Sequence, residues 1–345
     1  MQNKIASSRI EYLDIAKGIG IIMVVWVHAS GPFSSYMSQF HMPLFFLISG
    51  FLFNSSSSLK DFIIKKIKTL YIPFISCNII SIILQTTKSG NLKACFKQIF
   101  EILLTLNKDG VFFGATWFLG ALFFISILYK ILHYCLEDSS YKMYYITAFF
   151  IVLAMIGFEI TFPYMLSRTL ILGVFYALGY LIKINREKVY EFNKPIIIVL
   201  SFILFVIISC YNLTDLGKNK YEYKSLFIFG AIFAIQVTFY VSEIISKWKS
   251  RLLLNIKKMF IFLGENSIDI LIWQFVMFKM VVLLQLYIDK VPLNNVWRYY
   301  PTYNTKHGWW LIYTILGTIF SIILGKILSD VLFKNIIKKI YYAKK

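Results

Sequence analysis

The chain has 345 residues, of which 58% are hydrophobic and only 15% are charged, and its mean hydropathy is +0.68. Soluble domains carry about 25% charged residues, so this composition excludes an ordinary soluble protein. The formal charge of +19 does not indicate nucleic acid as a partner, because lysine and arginine collect at the cytoplasmic ends of membrane helices and face anionic lipid. The composition therefore predicts a protein that crosses the membrane several times.

The apolar runs predict an all-α, polytopic bundle of about ten transmembrane helices. The candidate spans are residues 14–31, 40–54, 62–86, 111–134, 143–160, 164–183, 195–212, 225–246, 260–288 and 308–333. The second is short for a bilayer, which needs about 20 residues, and is expected to be tilted, re-entrant or extended by its flanks. We expect residues 1–345 to form a single membrane-embedded domain with no appended soluble domain, because the longest non-apolar segments are too short to fold alone.

The distribution of basic residues predicts the orientation of the bundle. Ten spans place both termini on one side, and lysine and arginine are about twice as frequent in the segments of that side as in those of the other. We therefore expect cytoplasmic termini in the plasma membrane, with the loops at Ser30–Gln39 and Pro292–His307 outside. The first apolar run contains Lys17 and His28 and is followed by no small-residue cleavage site, so a cleavable signal peptide is not expected.

The first apolar run reads DIAKGIGIIMVVWVHASG, from Asp14 to Gly31. Ionisable groups in a membrane helix are costly and usually face a cavity or a partner. Lys17 and His28 are eleven residues apart, which at about 100° per residue returns to within about 20° of the same face. Asp14 lies one turn before Lys17, close to the same stripe. A carboxylate, an ammonium group and an imidazole along one helix face indicate chemistry rather than packing.

A second histidine stands at the start of the next run, which reads FHMPLFFLISGFLF from Phe40 to Phe53. His41 follows His28 by thirteen residues, and the loop between them holds no charged residue. The two imidazoles can therefore approach each other near the outer face. The alternative is that His41 only caps a helix end at the membrane interface, and the sequence leaves both interpretations open.

A basic cluster, Lys65, Lys66 and Lys68, lies at the cytoplasmic start of the third span. Such a cluster satisfies the rule that cytoplasmic flanks are basic, and it needs no further role. It is also suited to a phosphorylated cytoplasmic donor, because a lysine acts as a point charge for phosphate. The sequence does not separate these two uses.

Three further residues are candidates for contacts with a substrate. Glu159 and Arg168 flank the outer turn between the fifth and sixth spans, and a structural ion pair between them is the simpler alternative. Trp117, in GATWFLGALFF, is by default an aromatic residue of the membrane interface. The outer segment WRYYPTYNTKHGWW is either a cover for a sugar-binding mouth or part of the interfacial aromatic belt.

Together these segments resemble membrane acyltransferase family 3, and within it the sugar O-acetyltransferases of the fucose-acetylase-like type. The resemblance covers essentially the whole chain and rests on an ordered set of motifs. In chain order they are YLDIAKGIGIIMVVWVHA, FHMPLFFLISGFLF, KKIKTLYIPF, TWFLGALFF, RTLILGVFYALGYLI and LGENSIDILIWQF. The family's first-span pattern is a basic residue, ten residues and then histidine, which matches Lys17 through His28. Trp273 and Gln274 stand where the family's ninth-span motif often ends in histidine.

The resemblance implies an O-acyltransferase that moves an acyl group, with acetyl the preferred group, from cytoplasmic acyl-CoA to a hydroxyl of a cell-surface or lipid-linked glycan. His28, Lys17, His41 and Asp14 would be catalytic, with His28 the general base, and Lys65–Lys68 would match the donor-binding part of the family. Acetyl-CoA would be a co-substrate, with no bound cofactor and no metal. The implied partners are acyl-CoA, the glycan or lipid-linked saccharide, and membrane lipid; a homo-oligomer is left open.

The residues leave two questions open. No GxSxG elbow and no reactive-cysteine motif are present in the sequence, which favours direct transfer, while an acyl-histidine relay from one face to the other is the alternative.

A transporter or flippase of a lipid-linked glycan would also need charges within the membrane, but such proteins often show internal repeats. The two halves of this chain show no convincing repeat, which disfavours that alternative.

Overall fold

The computed structural model describes residues 10–89, 92–105, 113–163, 165–212, 214–216 and 219–329. Within these ranges the chain is helical apart from loops and one hairpin of two-residue strands, Thr214–Asp215 and Lys220–Tyr221, which pair antiparallel. The helices are α1 Glu11–His28, α2 Ser34–Ser38, α3 His41–Phe51, α4 Leu59–Lys66, α5 Ile72–Ser89, α6 Leu92–Thr105, α7 Trp117–Cys135, α8 Lys142–Glu159, α9 Leu166–Ile184, α10 Arg186–Tyr190, α11 Pro195–Tyr211, α12 Lys224–Ser246, α13 Arg251–Glu265, α14 Ser267–Ile288 and α15 Trp309–Ser329.

In the described part of the chain, seven helices are long and apolar enough to cross a membrane. They are Leu59–Leu84, Gly114–Cys135, Lys142–Glu159, Leu166–Ile184, Lys224–Ser246, Ser267–Ile288 and Trp309–Leu328. The protein is therefore a multi-pass membrane protein with an α-helical bundle. The predicted count of ten is not confirmed: α3 has 11 residues, α11 has 17, and α1 carries Glu11, Asp14 and Lys17.

Several helices lie wholly or partly outside the candidate spans, and α6 and α13 are the longest of them. The sequence placed one span over residues 260–288, whereas the structure ends α13 at Glu265 and begins α14 at Ser267. The segment between the third and fourth candidate spans is not apolar, yet it contains α6. Both α6 and α13 alternate apolar and charged residues, and an amphipathic helix of this kind gives a weak hydropathy signal.

Helix α1 is held at its first turns by α13. Gly18 packs against the backbone carbonyl of Phe260, and Gly264 packs against that of Asp14, so a side chain at either glycine would separate the helices. Lys257 of α13 forms an ion pair with Glu11 at 2.7 Å. These contacts place the charged start of α1 beside the junction of α13 and α14.

The core of the bundle lies between α1, α3, α7, α9 and α14, whose inward faces are almost entirely buried. Phe53 lies just beyond the last residue of α3 and packs against Tyr129, Tyr176 and Tyr180. Helix α3 lies directly on α9, because Gly50 packs against the carbonyl of Tyr176. This packing fixes α3, and with it His41, relative to the end of α1.

Candidate functional site

A cavity of about 450 Å³ lies where α1 ends and α3 begins. Helix α1 runs from Asp14 towards His28, and α3 runs back from His41, so both histidines lie at the same end of the bundle. The lining combines both imidazoles with hydroxyls, a carboxylate and an indole: His28, His41, Ser30, Ser34, Ser35, Ser38, Asp215 and Trp117. We call this space the histidine cavity. The expectation that His28 and His41 approach each other is confirmed by their shared lining of it.

His28 is oriented by a residue that lies 246 positions later in the chain. Its Nδ1 is 3.1 Å from Oε1 of Gln274. Gln274 is fully buried, and its Nε2 donates to the carbonyl of Leu271 at 3.1 Å, which leaves Oε1 as the atom facing His28. An amide oxygen only accepts hydrogen bonds, so Nδ1 of a neutral His28 carries the proton and Nε2 carries the lone pair. This is the tautomer of a general base.

His41 shows the same arrangement. Its Nδ1 is 2.7 Å from the carbonyl oxygen of Met37 and donates to it, so the lone pair of a neutral ring again lies on Nε2. His41 is buried, with a relative exposure of 5%, although it is the first residue of α3. The two rings also interact electrostatically. His41 is therefore both a residue at a helix end and a part of the cavity wall, so the two alternatives drawn from the sequence coexist.

Asp14 and Lys17 lie together but away from His28. Their side chains form an ion pair of 2.6 Å, and Asp14 is 8% exposed. Eleven residues of helix separate Lys17 from His28, or about 16 Å. Lys17 lines a smaller cavity of about 180 Å³. Leu271 lines both this cavity and the histidine cavity, so the two spaces adjoin across one side chain.

The lysine cluster lies at the opposite end of the bundle from the histidine cavity. Lys65 and Lys66 end α4, and Lys68 lies in a π-helical turn, Ile67–Tyr71, that joins α4 to α5. The ammonium group of Lys66 lies 5.3 Å from the centre of the Phe62 ring. No described contact links these lysines to either histidine.

Two lysines that the sequence analysis did not select anchor the loop before α4. Lys130 donates to the carbonyls of Ser55 and Ser57, at 3.0 and 2.7 Å, and Lys183 donates to that of Phe53 at 2.8 Å. Lys130 lies within α7, and Lys183 lies in the last turn of α9.

Of the three substrate-contact candidates, the structure brings two together. The guanidinium carbon of Arg168 lies 5.2 Å from the centre of the Trp117 ring, a cation–π distance. Trp117 lines the histidine cavity, so Arg168 stands directly behind its wall. The predicted ion pair between Glu159 and Arg168 is wrong: Glu159 ends α8, where its carboxylate is largely exposed and pairs with Lys224 at 2.8 Å.

The sequence analysis missed Asp215, which the hairpin between α11 and α12 brings over the histidine cavity. Its charge also acts on Arg168 and Tyr221. Asn212 supports this hairpin, since its side chain accepts a hydrogen bond from the backbone of Tyr223 and its carbonyl accepts one from Gln39. Strands of two residues carry no periodic signal, so nothing in the sequence pattern marks Asp215.

The aromatic segment between α14 and α15 packs behind His28 and does not line the histidine cavity. Lys279 of α14 donates to the carbonyls of Val296 and Tyr299, which ties this segment to α14. The ring of Tyr300 packs on Phe275 with centroids 5.2 Å apart, and Phe275 packs edge-on against His28 at 4.8 Å. The segment therefore contacts His28 only through Phe275, and both alternatives drawn from the sequence stay open.

The described ranges show no set of side chains suited to binding a metal ion. No group of three or more histidine, cysteine, aspartate or glutamate side chains lies close enough there to hold a metal ion. The four cysteines, Cys77, Cys95, Cys135 and Cys210, are free thiols.

Comparison with known proteins places this geometry in a family. A family model for acyltransferase family 3, described as an acyltransferase domain, matches residues 10–326, which is most of the chain. The protein belongs to this family of membrane acyltransferases. The match includes every residue of both cavities, so the resemblance drawn from the motifs is confirmed.

A curated relative is nodulation protein NolL of Mesorhizobium japonicum, which is 26% identical over 234 residues. The aligned part covers 62% of this chain and 58% of NolL, so the chain spans less than two thirds of that relative's length. No solved structure matches the chain significantly. The family membership implies an acyl donor as co-substrate in general terms.

Proposed function

We propose that the protein is an O-acyltransferase that moves an acetyl group from cytoplasmic acetyl-CoA to a hydroxyl of a cell-surface or lipid-linked glycan, with His28 as the general base. The observation that carries this proposal is the hydrogen bond from His28 Nδ1 to Gln274 Oε1. It orients the ring in a polar cavity and leaves the lone pair on Nε2. Membership in the acyltransferase family supplies the reaction class.

The proposed step is direct transfer. Nε2 of His28 removes the proton of the acceptor hydroxyl as its oxygen attacks the thioester carbonyl carbon. The resulting tetrahedral oxyanion collapses, the carbon–sulfur bond breaks, and the thiolate of CoA takes the proton from the imidazolium. Gln274 favours the charged ring during this step, because its amide oxygen accepts a stronger hydrogen bond from Nδ1 of the imidazolium than from Nδ1 of the neutral ring.

The composition of the histidine cavity supports a saccharide acceptor. Sugars bind to sites that combine an aromatic face with several hydrogen-bonding groups. The cavity offers the Trp117 ring, the Asp215 carboxylate and four serine residues. We assign Arg168 an indirect role through its contact with Trp117. Glu159 contacts Lys224 and not the cavity lining, so we keep it only as a peripheral candidate.

The two adjoining cavities support a path for the donor from the cytoplasmic side. We propose that Lys65, Lys66 and Lys68 attract the phosphates of acyl-CoA. The acyl end then passes the cavity beside Lys17 and Asp14 and reaches His28 beyond Leu271. This path requires cytoplasmic termini and an outer histidine cavity, as expected for a plasma-membrane protein with no cofactor besides the co-substrate.

The test is to reconstitute the purified protein in liposomes with acetyl-CoA and a surface-glycan extract. Acyl transfer consumes acetyl-CoA, releases one free thiol per turnover and adds the mass of one acetyl group to the glycan. A flippase or transporter would move the glycan without releasing thiol. Thiol release without a mass change in the glycan would reject the acceptor, and no thiol release with any extract would reject the reaction.

A further inference from the structure

A third, chemically different cavity of about 410 Å³ lies on the other side of α3. It is bounded by α9 and α10 on one side and by α11 and α12 on the other, and we call it the α9–α11 cleft. Its size lies within the range of small-molecule sites, about 300–1,000 Å³. Its lining does not include His28, His41 or Lys17, so it is separate from the proposed catalytic site.

Helix α11 packs on α12 along its length, and one face of its first half borders the cleft. Near its last turns, Phe205 packs edge-on against Phe40, and Cys210 lies 3.6 Å from the hydroxyl of Tyr36. Towards its first turns, Ile197, Leu200 and Leu204 face open space. Leu200 is 54% exposed, so the cleft opens sideways where membrane lipid would surround the protein.

The deeper wall of the cleft is apolar, and the polar side chains in it already have hydrogen-bond partners. Its two polar side chains satisfy each other: the hydroxyl of Ser201 donates to Oε1 of Gln236 at 3.0 Å, and Nε2 of Gln236 donates to the carbonyl of Phe192 at 2.9 Å. A sugar or nucleotide would lose its hydrogen bonds with water on entering such a space. The wall is suited to a hydrocarbon chain.

The mouth of the cleft, in contrast, carries two opposite charges. Arg186 of α10 and Glu243 of α12 both line it, and both act electrostatically on Tyr12 of α1. The guanidinium carbon of Arg186 lies 5.9 Å from the centre of the Tyr12 ring. From Glu243 to Ile232, the cleft follows α12 for about 16 Å, roughly half the thickness of a bilayer core.

We propose that the α9–α11 cleft binds a membrane phospholipid with an ethanolamine head group, one of whose acyl chains fills the apolar wall. The guanidinium of Arg186 binds the phosphate, and the carboxylate of Glu243 binds the primary ammonium. Because the mouth carries two opposite charges, we expect it to bind this lipid in preference to phosphatidylglycerol and polyprenyl phosphates. Those lipids have a phosphate but no ammonium group to pair with Glu243. The bound lipid fills the space between α9 and α10 on one side and α11 and α12 on the other.

The test uses the full chain in phosphatidylcholine nanodiscs that contain a small fraction of a photoactivatable lipid, with the reactive group near the end of one acyl chain. Three probes with the same chains carry ethanolamine, choline or glycerol head groups. We expect the ethanolamine probe to label peptides of α9, α11 and α12 that line the cleft. Arg186→Gln and Glu243→Gln should each weaken its apparent affinity about tenfold, as loss of one charge-assisted contact does.

A pair of variants on α11 separates the cleft from the general lipid surface. Leu200→Trp fills the cleft and should abolish the labelling, whereas Ile203→Trp, on the same helix but outside the lining, should leave it unchanged. Gel filtration confirms that each variant remains folded. Equal labelling by all three probes, labelling that is insensitive to Glu243→Gln, or no labelling of the cleft peptides would each overturn the proposal.

Discussion

Oε1 of Gln274 lies 3.1 Å from Nδ1 of His28, although 246 residues separate the two along the chain. By the resemblance drawn from the sequence, Trp273 and Gln274 stand where the family's ninth-span motif often ends in histidine. The structure gives the position a different use, because the amide orients the ring of His28 and sets its tautomer. The predictions below start from this pair.

His28→Ala should insert normally and lose about 10²–10⁴-fold in the rate of thiol release from acetyl-CoA, because a general base contributes that much. A matched control is His307→Asn, since His307 is an exposed histidine with a positive φ of 54° that asparagine tolerates. It should stay within a few-fold of the wild type. An active His28→Ala enzyme would remove the residue from the mechanism.

Gln274→Met should lower kcat about tenfold or more and leave KM for acetyl-CoA nearly unchanged. The thioether is similar in size but accepts hydrogen bonds only weakly, so His28 loses the partner that orients it. Gln274→Glu keeps an acceptor beside Nδ1 and should retain more activity than Gln274→Met. Steady-state kinetics of both variants separates the effect on kcat from the effect on KM. Equal kcat values in Gln274→Met and wild type would show that the hydrogen bond has no catalytic effect.

The contribution of Lys17 and Asp14 to activity can be measured separately from their contribution to thermal stability. Lys17→Met leaves the buried Asp14 carboxylate without its lysine partner and should lose both thermal stability and activity. Lys17→Arg keeps the charge and should retain much of the activity. In the double variant Asp14→Asn with Lys17→Met, stability should recover because the buried charge is removed, while activity stays low. Recovery of activity in the double variant would mean that the ion pair is only structural.

The lysine cluster is tested by replacing Lys65, Lys66 and Lys68 together with glutamine. If they bind the donor phosphates, KM for acetyl-CoA should rise, with about 1.5–3 kcal/mol lost for each charge-assisted contact. The matched control replaces Lys247, Lys249 and Lys258, three exposed lysines expected on the same side of the membrane. The control should have a normal KM. A normal KM in the first variant, with impaired insertion, would assign the cluster to membrane anchoring.

The orientation of the bundle is tested by labelling single cysteines with an impermeant maleimide in a variant that lacks the four native thiols. Lys306→Cys lies in the outer segment and should react in intact cells, whereas Ser56→Cys should react only after permeabilisation. Both positions are exposed, so access to the thiol is decided by the side of the membrane. The reverse pattern would contradict the count of basic residues and would place His28 at the cytoplasmic face.

Local patterns in the sequence determined a large part of this protein. The low charge and repeated apolar runs predicted a helical membrane bundle, because about 20 apolar residues in a row have few other uses. The spacing of Asp14, Lys17 and His28 placed them on one face of α1, since helical periodicity is a local property. The ordered motifs also predicted the family, which the match over residues 10–326 confirmed.

Only the tertiary structure decided which groups meet. The pairing of His28 with Gln274, the position of Asp215 over the cavity and the contact of Arg168 with Trp117 all join residues far apart in the chain. Glu159 was assigned to the wrong partner for the same reason, since nearness in sequence did not predict the direction of its side chain at the end of α8. Such contacts depend on how helices pack, and helix packing leaves no periodic trace in any one segment.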